Sequence, residues 1–240
     1  MHVTLAAVTE PIPVVLVPGL LASARLYAAQ IADLWRRGPV MVADHTHDDS
    51  MDAIARRILA YAPPQFALAG LSMGGYICFE ILRQAPARVS KLALLDTSAQ
   101  PDTPEQSAGR RTQMALATSG RLDEVVAGQF ERAVHPAHRL DARLREITLR
   151  MAHEVGPEAF LRQQLANIGR PDSRPTLAAI SCPTLVLVGE QDALTPPERA
   201  AEIVRGIRTA RLVRVGECGH LSTLEQPRAV THALLEWLQG

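Results

Sequence analysis

At 240 residues, with 47% hydrophobic and 21% charged side chains, the chain can bury a full core and has the balance of an ordinary globular protein. A formal charge of +0 excludes a field strong enough to gather nucleic acid or an anionic membrane surface. Met1 to Glu10 lacks a basic start followed by an apolar stretch, and the longest apolar run, Val14 to Ala24, is too short to cross a bilayer, so a soluble, cytoplasmic protein is expected.

In chain order, short apolar runs alternate with helical patterns. A strand over Val14 to Val17 precedes a helix near 24–36; Val40 to Ala43 precedes one near 51–61; Phe66 to Ala69 precedes one near 74–85; Leu92 to Leu95 follows. After a long interruption come Leu185 to Val188, a helix near 197–205, Leu212 to Val215 and a last helix near 228–238. Strand runs that are apolar on both faces belong to parallel sheets covered by helices. The alternation predicts an α/β fold with an open, mostly parallel, doubly wound sheet, whose ligands sit at the carboxyl ends of the strands.

Between Pro101 and Arg174 no strand pattern occurs, and helical patterns follow one another over Glu105 to Thr118, Leu122 to Ala133, Leu140 to Glu154 and Glu158 to Ile168. Pro101, Pro104, Pro136, Pro157, Pro171 and Pro175 fall at the expected helix boundaries. The chain therefore divides into a core of 1–100 and 175–240 and an all-helical insertion of 101–174.

Ser72, in Gly70-Leu71-Ser72-Met73-Gly74-Gly75, lies between a predicted strand and a predicted helix. A turn this sharp holds its central residue in a sparsely allowed conformation and needs glycines where flanking segments nearly touch. A serine hydroxyl is a poor nucleophile until a base takes its proton, and that base needs an orienting group. Two later strands offer both, running into loops that carry Asp192 in Gly189-Glu190-Gln191-Asp192 and His220 in Cys218-Gly219-His220.

The chain resembles the α/β-hydrolase superfamily on the Ser72 turn, on Gly189 to Asp192 followed by Pro196, and on Gly219-His220 followed by Glu225 and Pro227, in the order Ser, Asp, His. The resemblance covers nearly everything outside the insertion. It implies an α/β-hydrolase fold with Ser72 as nucleophile, His220 as general base and then acid, and Asp192 as orienting carboxylate. The backbone N–H groups of Met73 and Leu20 would form the oxyanion hole. Many relatives carry His-Gly where this chain has Pro18-Gly19, so the oxyanion loop needs a different support. Some relatives place the acid on an earlier strand, where Asp96 in Leu95-Asp96-Thr97 is the alternative.

The small helical cap is similar to that of carboxylesterases and pimeloyl-acyl-carrier-protein methyl ester esterases. The implied activity is hydrolysis of a carboxylic ester through an acyl-enzyme. Enol-lactone opening, C–C bond hydrolysis and perhydrolysis use the same machinery, and some proteins of this fold act as small-molecule receptors. Ser72 argues against the aspartate-nucleophile dehalogenases and epoxide hydrolases. Neither a metal nor another cofactor is implied. The apolar insertion residues Met114, Leu116, Phe130, Val134, Met151, Phe160 and Leu165 favour a mostly apolar small-molecule ester.

Four features compete for attention. Asp44-His45-Thr46-His47-Asp48-Asp49 has metal-ligand spacing but no late cluster to complete a site, so it reads as a solvated loop. Arg139, Arg143 and Arg150, spaced for one helix face with Arg132 nearby, read as a solvated face or a docking stripe for an acidic carrier protein. Glu225 and Pro227 are expected to organise the start of the final helix. Cys78, Cys182 and Cys218 are odd in number and without Cys-x-x-Cys spacing, so they suggest neither a disulfide framework nor a zinc knuckle.

Overall fold

The computed structural model describes residues 11–239. The expectation for Met1 to Glu10 lies outside them. The chain forms β1 (Val14–Val17), a 3-10 turn (Ala24–Tyr27), α1 (Ala28–Trp35), β2 (Val40–Val42), α2 (Met51–Tyr61), β3 (Phe66–Leu71), α3 (Met73–Gln84) and β4 (Val89–Leu95). There follow α4 (Pro104–Thr118), α5 (Leu122–Ala133) and α6 (Ala142–Ile168), then β5 (Thr184–Gly189), α7 (Pro197–Gly206), β6 (Ala210–Val215), the single turn α8 (Ser222–Glu225) and α9 (Pro227–Gln239). The sheet order is β2-β1-β3-β4-β5-β6, and every neighbouring pair is parallel.

Side-chain alternation along each central strand explains the two helical layers. Val15 and Val17, Leu68, Leu92 and Leu94, Val186 and Val188 pack in one core with residues of α2, α3 and α7. Their neighbours Val14 and Leu16, Ala67 and Ala69, Ala93 and Leu95, Leu185 and Leu187 pack in a second core with α1 and α9. Complete burial of a Val or Leu side chain contributes about 1.5–3 kcal/mol, so a strand apolar on both faces is fixed in a three-layer fold. The lone lysine, Lys91, caps α9 by donating from Nζ to the carbonyls of Trp237 and Leu238 at 3.1 and 2.9 Å.

Between β4 and β5 the chain is helical, as its sequence predicts, with one difference of detail. The segments expected over 140–154 and 158–168 are the two helical halves of α6, which meet at a kink where Gly156 (φ 79°, ψ 164°) leaves helical geometry and Pro157 restarts it. That helix begins at Ala142, where Asp141 accepts from the N–H groups of Arg143 and Leu144. Arg139 therefore precedes α6 and does not share a helix face with Arg143 and Arg150. No helix among the described residues is long and apolar enough to cross a membrane.

Candidate active site

β3 runs directly into Ser72, and α3 starts at the next residue. Ser72 has φ 57° and ψ −116°, a left-handed conformation that costs a non-glycine residue about 1–3 kcal/mol. The turn is held by backbone: Ser72 N–H donates to Leu95 O at 3.0 Å, and Ser72 O accepts from Gly75 N–H at 2.9 Å and Thr97 Oγ1 at 2.8 Å. A Cβ on Gly74 would lie 2.1 Å from Val17 O, and one on Gly70 would lie 2.4 Å from the Gly74 carbonyl. Only glycine lets β1, β3 and α3 meet this closely. Met73 is the first residue of α3, so its N–H is one of those an α-helix leaves without an internal acceptor.

Asp192 and His220 stand in the loops that follow β5 and β6, which neighbour each other at one edge of the sheet. His220 Nδ1 is 2.8 Å from Asp192 Oδ2, and both residues are buried. Asp192 Oδ1 accepts from the N–H groups of Leu194 and Thr195 at 2.8 and 2.9 Å, and Thr195 Oγ1 donates to Oδ2 at 2.7 Å. Nothing in the sequence pattern singles out Thr195. Burial alone would push the His220 imidazole down, but the Asp192 carboxylate, with lesser help from Asp96 and Glu225, outweighs it and holds the ring above the ordinary value of 6.5. For Asp192 burial works upward and is outweighed by the His220 charge and the hydrogen bonds, leaving the carboxyl low.

Asp96 is spent elsewhere. Its Oδ1 accepts from Gly189 N–H at 2.9 Å and its Oδ2 from the Ser222 hydroxyl, and burial together with Asp192 pushes it well above the usual carboxylate range.

Ser72, Met73, Leu20 and His220 line one cavity of about 450 Å³ between the carboxyl ends of the strands and α4–α6. Among the described residues the Ser72 hydroxyl makes no hydrogen bond to the imidazole; in unliganded enzymes this contact is commonly long and tightens with substrate. Of the insertion residues expected to shape an apolar pocket, Phe130 and Met151 line it, whereas Val134 and Phe160 are core and Leu165 is 45% exposed. Polar side chains line the cavity as well, among them Gln113, Asn167, Arg110 and Arg170. Arg170 and Arg110 both pair with the buried Asp102, and Arg110 continues to Gln164, which bonds Gln113. Asn167 Oδ1 is buried beside this network without a hydrogen-bond partner among the described residues. Helical periodicity hides these polar residues, because it separates buried from exposed faces and not cavity from core.

Glu225 does more than start a helix. Its carboxylate accepts from the N–H groups of Gly219 and Leu221, each at 3.1 Å, and from His135 N–H at 2.7 Å, with His138 Nδ1 at 2.9 Å. It thus clamps both sides of His220 and ties that loop to the insertion, where Ala133 O accepts from His220 N–H. Glu225→Ala would strand these donors in a buried site, and chemical denaturation should register a loss of about 3–5 kcal/mol.

The histidine pair in the 44–49 loop diverges. His47 bonds Asp44 at 3.0 Å on the surface, while His45 is buried and reaches Gly19 O at 2.9 Å, so the solvated-loop expectation fails at His45. Among the described residues no three or more His, Cys, Asp or Glu side chains converge as a metal site.

A parallel sheet with a strained strand–Ser–helix turn, and a histidine–carboxylate pair at adjoining strand ends facing one cavity, defines an α/β scaffold of hydrolytic type. The chain belongs to the alpha/beta hydrolase fold family, which matches it over residues 39–227. It is similar to an AB hydrolase superfamily protein, YisY, of Bacillus subtilis, 29% identical over 80% of this chain and 74% of that one. A pimeloyl-[acyl-carrier protein] methyl ester esterase of Vibrio vulnificus is 24% identical over 80% and 78%. Among solved structures, a thermophilic esterase from Thermogutta terrifontis, malate bound, superposes with a TM-score of 0.87 and 31% identity, covering 96% of this chain and 90% of that one.

Proposed function

We propose that the protein is a serine esterase that hydrolyses a small carboxylic ester through an acyl-enzyme. The observation that carries this reading is the Asp192–His220 pair at 2.8 Å, opening onto the same cavity as the strained Ser72. Asp192 keeps the neutral ring protonated on Nδ1, so Nε2 is free to take the Ser72 proton as Oγ bonds to the ester carbon. The oxyanion then faces the N–H groups of Met73 and Leu20, which have no acceptor among the described residues. Collapse breaks the carbon–alkoxide bond, and the imidazolium gives its proton to the leaving alcohol. Water, deprotonated by Nε2, attacks the acyl carbon and releases the acid and Ser72.

The lining supports a substrate with one apolar flank, against Leu26, Phe130 and Met151, and one polar flank toward Gln113, Asn167 and Arg170. A carrier-borne acyl group is a second reading, favoured by the carrier-protein esterase relatives and by exposed Arg139 and Arg143; Arg150 is engaged by Glu146 at 2.7 Å.

A panel of p-nitrophenyl esters, alkyl esters and lactones tests the reading. Multiple turnover with a nitrophenol burst is expected, with kcat/KM falling on the acid side. The base must be neutral and its proton affinity is raised, so the midpoint of that fall should lie above 6.5. Tight ligand binding without turnover would instead make the protein a receptor.

A further inference from the structure

The loop Gly19-Leu20-Leu21 carries the proposed second oxyanion donor, yet Pro18 stands where a supporting histidine is common in relatives. The structure supplies the support from two distant places. His45, from the loop after β2, brings Nε2 to 2.9 Å from Gly19 O. Gln163, from the second half of α6, accepts from Leu21 N–H through Oε1 at 3.0 Å and places its Nε2 3.2 Å from His45 Nε2. Both side chains are at most 2% exposed. Leu21 has φ 55°, a conformation that a β-carbon-bearing residue keeps only where its surroundings impose it.

One ring nitrogen, His45 Nε2, meets both groups, so only one of the two contacts is a hydrogen bond at a time. The Leu21 N–H fixes the Gln163 amide with oxygen toward the loop and nitrogen toward the imidazole. Burial lowers the imidazole's proton affinity, keeping the ring neutral with a single proton. With that proton on Nε2 the ring donates to Gly19 O; with it on Nδ1 the ring accepts from the Gln163 amide. Either way the ring is wedged between the oxyanion loop and the insertion.

We infer that His45 and Gln163 are positioning residues that fix the oxyanion loop, so that seating of the helical insertion on the sheet directly sets the Leu20 N–H for the transition state. The inference rests on the serine-esterase reading. Gly19 packs against the nucleophile turn, where a Cβ would meet Leu71 O at 3.3 Å and Ser72 Cβ at 3.4 Å. A shift of the loop is therefore a shift of the donor relative to Ser72. A displacement of about 1 Å can cost about 100-fold in rate, and losing one oxyanion donor about 10²–10³-fold.

The test uses Gln163→Leu, His45→Leu and His45→Gln, the last retaining an N–H donor of similar reach. Each folded variant is assayed with p-nitrophenyl butyrate and with an alkyl trifluoromethyl ketone, which forms a charged tetrahedral adduct on the serine. Gln163→Leu and His45→Leu should lower kcat about 10- to 100-fold with KM within about threefold, weaken the ketone in parallel, and combine less than additively. His45→Gln should recover most of the loss. A kcat within about twofold of wild type in both leucine variants would overturn the inference, as would a rise in KM alone or an unweakened ketone. Ser72→Ala separates the two levels: hydrolysis surviving that change condemns the esterase reading itself. Its loss, together with unaffected leucine variants, condemns only the positioning role. If the leucine variants do not fold, His45→Asn and Gln163→Asn, whose shorter polar side chains fall short of Gly19 O and Leu21 N–H, carry the same expected losses and the same overturning result.

Discussion

Ser72→Ala should lower kcat for p-nitrophenyl butyrate by about 10⁴–10⁶-fold while leaving the melting temperature within a few degrees of wild type. The two expectations follow from different atoms. Every hydrogen bond that holds the turn uses the Ser72 backbone or Thr97, and the hydroxyl makes none among the described residues. Alanine bears the same left-handed strain as serine, so the fold loses little. On the proposed mechanism, chemistry loses the oxygen that bonds the acyl carbon and hands its proton to His220. What remains is the binding cavity and the oxyanion donors, which position a water poorly. A variant that kept more than about a tenth of the wild-type rate would remove Ser72 from the mechanism.

Asp192→Asn should cost about 10³–10⁴-fold in kcat, whereas Asp96→Asn should cost less than about tenfold. At position 192 an amide can still accept from the Leu194 and Thr195 N–H groups through Oδ1, so the loop survives. Its NH₂ replaces the oxygen 2.8 Å from His220 Nδ1, which forces that nitrogen to accept and moves the ring proton to Nε2. A ring protonated there cannot take the serine proton. An amide at position 96 meets no such conflict: its oxygen keeps the Gly189 N–H, and its NH₂ can donate to Ser222 Oγ. Steady-state rates of the two variants at one pH distinguish the acids. The reverse ranking would move the orienting role to the earlier strand.

The sheet is legible in the sequence because its strands are buried on both faces and punctuated by turns, a signal local to a few residues. Strand ends are less so. β3 and β4 extend beyond their apolar runs because Gly70 and Lys91 keep ladder register with Val17, Leu94 and Ala67, which hydropathy does not reveal. Ser72, Asp192 and His220 stand out since each follows a strand, and sheet topology brings strand ends together. The structural roles of Thr195, Glu225, His45 and Gln163 escape a sequence reading for the opposite reason. Thr195 bonds Asp192 within one loop that has no regular period, while His45, Gln163 and the insertion contacts of Glu225 join elements up to 142 residues apart, and periodicity carries no record of either. His45 has the spacing of half a metal motif, but it bonds the oxyanion loop while His47 bonds Asp44 at the surface. The polar cavity residues are hidden in the same way, since Arg110 and Arg170 are held by distant partners, Asp102 for both, Gln164 for Arg110 and Gln100 O for Arg170.

In the proposed mechanism Ser72 Oγ, and no other group, attacks the substrate with His220 as its base. Peptide-resolved mass spectrometry after inactivation by a diethyl p-nitrophenyl phosphate ester tests it most directly. One diethylphosphoryl group on the peptide containing Ser72, formed as activity is lost and prevented by His220→Ala, is the predicted result. Inactivation with the label on another residue, or steady turnover by a protein whose Ser72 is fully phosphorylated, would contradict it.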